Sequence, residues 1–111
     1  MKISVEKDFS STPGGRLKSM GPNSGEEFRE RLLRELKKNA NEEIEISLDG
    51  EEGYGSSFLE EAFGGLVRSK LFTSPSISNR IKITSPNRIN NTYVDEAERY
   101  LRDAIKTKFG R

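Results

Sequence analysis

The sequence predicts an α/β domain with a small mixed β-sheet and helices packed mainly on one face. Short segments of alternating apolar and polar residues read as strands, and longer segments with apolar residues every three or four positions read as helices. The two kinds follow one another in the order β-(β)-α-β-α-β-α, the bracketed strand being the least regular, and such an order implies βαβ crossovers. Because the strands alternate instead of running fully apolar, one sheet face should meet the helices and the other should be wetter or covered by a partner.

Each element has its own signal. In KISVEKDF, Ile3, Val5 and Phe9 punctuate a polar row, a period-two pattern for a half-buried strand. Pro13-Gly14-Gly15 then reads as a turn and Arg16–Met20 as a returning strand, together a hairpin. Ser24 and Glu27 match the S-x-x-E capping box and open a helix whose apolar stripe is Phe28, Leu32, Leu33 and Leu36. On its outer side Glu27–Arg31 and Glu30–Arg34 are spaced as i,i+4 ion pairs, and Asn39-Ala40-Asn41 is its exit.

Ile44, Ile46 and Leu48 alternate with Glu45, Ser47 and Asp49 in the cleanest strand of the chain. Phe58, Leu59, Ala62, Phe63, Leu66 and Val67 recur at helical spacing over 57–69, and residues 69–79 have turn composition around Pro75. Arg80–Thr84 alternates again through Ile81 and Ile83. After the loop SPNRINN, Thr92 and Asp95 give a weaker capping signature before a helix carrying Val94, Ala97, Leu101, Ala104 and Ile105.

Length and composition restrict what the chain can do. At 111 residues it is expected to form one domain over 1–111. The 19 basic and 18 acidic residues are interspersed, so no global field directs the chain to nucleic acid or membrane. There is no cysteine and no histidine, which removes disulfides, the usual zinc ligands and the commonest general base. A non-catalytic protein without a cofactor is expected. No apolar run approaches a membrane span and MKISVEKDF is not a signal peptide, so a cytoplasmic location is the default expectation.

The stretch GYGSSFLEEAFGGL, residues 53–66, carries the chemistry of interest. Ser57 and Glu60 match S-x-x-E, so a capping box accounts for them, with Gly55 as the permissive entry. The same geometry exposes a hydroxyl at a helix start, where a phosphate would meet free amides and the positive end of the helix dipole. Glu60 and Glu61 would repel that phosphate, so modification would disturb a binding surface more than stabilise the fold. On a wheel of about 100° per residue, Ser57, Glu61, Gly64 and Arg68 share a stripe opposite the apolar face. Gly64 and Gly65 leave that stripe without bulk, suited to close approach of a neighbouring element or a partner.

This strand-turn-helix resembles the STAS fold, the domain of anti-sigma factor antagonists. There the first helical turn carries a phosphorylatable serine within a pattern close to D-S-S-G-L-G. In ISLDGEEGYGSSFLEEAFGGL, Ser57 falls at the acceptor position and Ser56 beside it, while Gly55 stands in place of the aspartate and Phe58 in place of the glycine. Together with PGGRLKSMGPNSGEEFRERLL, the segment DGEEGYGSSFLEEAFGGLVR is similar to a bacterial family of uncharacterised STAS-like domains, the similarity spanning roughly residues 8 to 106. The resemblance implies a regulatory interaction module whose partner is a histidine-kinase-like ATPase acting as a serine kinase. Its docking surface would comprise Tyr54, Gly55, Glu60, Glu61, Gly64 and Arg68, with Ser57 or Ser56 as the switch.

Other constellations point elsewhere. Arg16 and Lys18, in a glycine-rich loop before a helix, could hold a small anion or nucleotide phosphate, although the P-loop spacing is absent. The STAS-like fold would bring them to face Ser57. Arg80, Lys82 and Arg88 form a local basic cluster without the interleaved aromatics of a nucleic-acid surface. Asp49, Glu51, Glu52, Glu60 and Glu61 concentrate acid that could attract a hard cation, but their spacing matches no calcium loop.

Overall fold

A computed structural model describes residues 1–39, 41–86 and 91–110. Strands β1 (Lys2–Ser4), β2 (Ile44–Ser47) and β3 (Ile81–Thr84) form a parallel sheet in the order β1-β2-β3. Helix α1 (Gly25–Lys38) lies in the first crossover. The second contains a continuous helical run that we label α2. It is α-helical at Ser56–Leu59, π-helical at Glu60–Gly64 and α-helical at Gly65–Arg68. Helix α3 (Asn91–Phe109) follows β3, and α2 packs between α1 and α3.

The period-two pattern becomes two unlike sheet faces. Ile3, Ile46 and Ile83 stand in one register row, buried with Ile44 and Leu48 beneath the helices. The next row on the opposite face is Lys2, Glu45 and Lys82, followed by Ser4, Ser47 and Thr84. There Glu45 receives Lys2 at 3.8 Å and the Thr84 hydroxyl at 2.9 Å. A sheet with one apolar and one polar face can be covered by helices on one side only, as the alternation predicts.

Two expected features take a different form. The first strand stops at Ser4, and Val5–Phe9 coil into a π-helical turn. Local side chains capture the backbone there. Asp49 accepts from the Ser4 hydroxyl (2.5 Å) and the Glu6 amide (3.0 Å), and Asp8 accepts from the Ser4 amide (2.7 Å). Arg16–Met20 forms no strand; Lys18–Met20 is a 3₁₀ turn. The loop still closes on itself, through Gly14 N–H to the Asn23 carbonyl and Gly25 N–H to the Gly15 carbonyl. These bonds join the loop to the entry of α1 and leave it off the sheet, which is therefore parallel throughout among the described residues.

Ser24 caps α1 as expected, accepting from Glu27 N–H at 3.1 Å. The expected i,i+4 pairs give way to tertiary partners, since Glu30 meets Lys18 at 2.5 Å and Arg31 donates to the Asp8 carbonyl at 2.8 Å. Of the expected exit, Ala40 lies outside the described residues. Thr92 sits within α3, and the loop residues 87–90 before it, Arg88 included, are also outside them. Two cations close helix C-termini, where carbonyls lack partners. Arg80 donates to the Leu36, Asn39 and Glu42 carbonyls below α1, and the Lys108 ammonium donates to those of Val67, Ser69 and Phe72 below α2.

Candidate functional site

The serine-bearing turn leaves the carboxyl end of the central strand β2, the position at which open parallel sheets bind their ligands. Asp49 is held by the turn after β1. Gly53 adopts φ +79°, and a Cβ there would lie 2.6 Å from the Tyr93 hydroxyl, so both the backbone and the neighbouring ring require glycine. Tyr54 is buried against Phe58, stacked at 6.1 Å, and Tyr93, edge-on at 5.5 Å. Its hydroxyl accepts from Gly50 N–H at 2.8 Å. Tyr54 thus staples the turn from beneath and contributes little outer surface.

Burial pushes the Tyr54 phenol up to about 12, against the opposing effect of the Gly50 hydrogen bond. A folded-state value raised above the ordinary phenol value means that this stabilisation is complete below about pH 10 and is lost as pH climbs toward the folded value. Denaturant midpoints measured against pH should therefore fall above about pH 10. Tyr54→Phe should lose the part of that fall due to this phenol, from a lower neutral-pH baseline.

The helix begins two residues earlier than a capping box at Ser57 requires. Gly55, extended at φ −70° and ψ 148°, is the N-cap, with no side-chain capping bond. The first intrahelical bond runs from Leu59 N–H to the Gly55 carbonyl, so the amides of Ser56, Ser57 and Phe58 precede it. Ser56 and Ser57 are both exposed, and neither hydroxyl makes a hydrogen bond among the described residues. Glu60, the expected box partner, is engaged instead by Arg16 Nη1 at 2.6 Å and by Arg68 Nη1 at 2.8 Å. Hydrogen bonds from Arg68 and then Arg16 hold the Glu60 carboxyl below the usual range, against its partial burial.

The expected outer stripe is also rearranged. The π-helical segment spreads Glu60–Gly64 over a wider turn than the 3.6-residue wheel assumes, and its flanks pack on two helices. Glu61 is only 8% exposed, in ion pairs with Arg29 and, at 3.3 Å, with Arg16. Gly64 and Gly65 are buried, and a Cβ at Gly65 would lie 2.8 Å from Glu61 Oε2 and 3.1 Å from Arg29 Cδ. The missing bulk at Gly65 therefore admits α1 and its ion pair, that at Gly64 admits the paired Glu60 and Arg68 side chains, and Glu61 and Gly64, both buried, offer no surface to a partner. Arg68 is exposed but clamped on Glu60.

Arg16 reaches α2, one turn beyond Ser57, whereas Lys18 turns to Glu30 on α1. The two do not form a common cradle, and each already has a carboxylate, so the anion site loses its free cations. The acidic residues likewise separate: Asp49 binds the turn after β1, while Glu60 and Glu61 bind guanidiniums. Among the described residues no cluster of three such groups is placed to hold a metal ion. Arg80 is committed to main-chain carbonyls, which removes it from the basic cluster. What sequence reasoning missed is the Arg16–Glu60–Arg68 clamp and the Arg29–Glu61 pair. Their residues lie as far apart as 16 and 61, with no local spacing to announce them.

A comparison with known protein families matches residues 24–90, more than half of the chain, to the STAS-like domain of unknown function (DUF4325). The chain belongs to this family. The match begins at the Ser24 cap and covers α1, β2, the serine turn, α2 and β3 of the STAS-like domain, while Arg16, Tyr93 and the turn after β1 lie outside it. Neither a curated protein nor a solved structure matches the chain. Among the described residues no helix of the STAS-like domain is long and apolar enough to cross a membrane.

Proposed function

We propose that this STAS-like domain is a non-catalytic regulatory module of the cytoplasm that binds a protein partner through the Gly53–Ser57 turn. Ser57, or its neighbour Ser56, is the phosphoacceptor that gates the contact, and the partner is an ATPase of the histidine-kinase-like fold acting as a serine kinase. One observation carries this reading: the Ser57 hydroxyl is exposed in the first turn of α2 while Gly55 serves as the cap. The serine is thus not consumed by the helix it opens.

The electrostatics suit a reversible switch. A phosphate would add about −1.5 to −2 charges beside Glu60 and Glu61. Both carboxylates are already paired with Arg16, Arg29 and Arg68, so the added charge alters the surface that a partner meets more than it strains the fold. Gly55, Ser56 and Ser57 form the contact itself, Tyr54 supports them, and the Glu60–Arg68 clamp borders them. Capture of partners by wild type, Ser57→Ala and Ser57→Asp tests the gate. Ser57→Asp should lose the partner that the other two retain, and equal capture by all three would remove Ser57 from the mechanism.

A further inference from the structure

The edge of β3 is a second surface with defined chemistry. β3 pairs with β2 alone, and no further strand covers its other side among the described residues. Leu48 N–H bonds to the Thr84 carbonyl, which directs Thr84 and Lys82 toward β2. In a parallel ladder the intervening residue points the other way, so the Ile83 N–H and C=O are directed to the open side. Beside this edge runs a groove of about 350 Å³. Ile81, Lys82 and Ile83 form one wall, and Glu98, Leu101, Arg102 and Ile105, an i, i+3, i+4, i+7 stripe of α3, form the other.

We propose that this groove binds an extended acidic peptide segment of another protein by strand addition. An added strand receives main-chain hydrogen bonds from the edge and sends alternate side chains to opposite faces. One set would lie over Ile83, Leu101 and Ile105, with Arg102 and Glu98 on the same wall, and so is mainly apolar. The other would lie on the polar sheet face beside Lys82. Lys82 and Arg102 are exposed and have no ion-pair partner among the described residues, and together they outnumber Glu98 in the groove. That excess selects carboxylates on the incoming strand. The same charge disfavours a second copy of this chain, since pairing β3 with β3 brings two Lys82 side chains together on one face.

A random peptide library displayed on phage and selected on the full chain tests this. Selected peptides should alternate apolar residues with aspartate or glutamate and slow hydrogen exchange at the Ile83 amide. Lys82→Glu and Arg102→Glu, both surface changes, should each weaken binding about tenfold. Failure to select such peptides, binding indifferent to both substitutions, or sedimentation showing that the chain dimerises through this edge would overturn the proposal. None of these readouts depends on Ser57.

Discussion

Phe58→Ala is expected to lower folding stability by about 3–5 kcal/mol, the usual range for an aromatic side chain removed from a close-packed core. Phe58 is fully buried and joins three parts of the fold. Its ring stacks on Phe28 of α1 at 5.9 Å and on Tyr54 of the serine turn at 6.1 Å, and lies 6.1 Å from Phe9 after β1. Because its neighbours are anchored on separate elements, they are poorly placed to close the cavity. Domains of this size have about 5–15 kcal/mol in total, so the variant should be marginal at room temperature. A denaturant midpoint that drops at unchanged slope would show the loss to be one of stability alone. Phe58→Gly should be worse by roughly another 1 kcal/mol from helix propensity. The bulky residue after the serines is the anchor that holds the start of α2 in place.

Gly25→Ala is the second large effect, about 1–3 kcal/mol of overpacking. Gly25 follows the Ser24 cap, and a Cβ on it would lie 2.6 Å from the Phe58 carbonyl oxygen and 3.2 Å from the Phe58 Cα. Those are backbone atoms, so relief requires α1 and α2 to move apart and not a side chain to rotate. Alanine's helix propensity offers little return at the first helical position, where the amide has no intrahelical partner. Gly55→Ala is the contrast, because nothing lies within 4 Å of its Cβ position and its φ of −70° suits any residue. It should cost less than about 1 kcal/mol, the range of a changed N-cap. Thermal unfolding of the two variants side by side would separate a close approach from a cap.

The parts of this fold that were legible in the sequence are those set by short-range periodicity. Ile44, Ile46 and Leu48 revealed the central strand, and Phe28 with Leu32 revealed the buried face of α1, because burial repeats at fixed intervals along one element. The Ser24 cap was legible for the same reason. The strand expected at Arg16–Met20 was not formed, because composition marks a turn but says nothing of what the returning segment pairs with. There the available donors and acceptors belonged to the entry of α1. The stripe through Ser57, Glu61, Gly64 and Arg68 assumed one helical pitch, and the π-helical segment changed it. The capping box at Ser57 is not formed because Gly55 takes the cap and Glu60 is held by Arg68 of the same helix and by Arg16, a distant partner that no local motif records. The serine pair itself was correctly placed at a helix start, and the structure sharpened its meaning by assigning the cap to Gly55.

The gating claim is tested most directly by intact-mass and phosphopeptide analysis of the protein isolated from the cells that make it. The account predicts a population one phosphate heavier, with the modification on Ser57 or on the adjacent Ser56. A chain that carries no phosphate at either serine, in growing cells and in stressed ones alike, would contradict it.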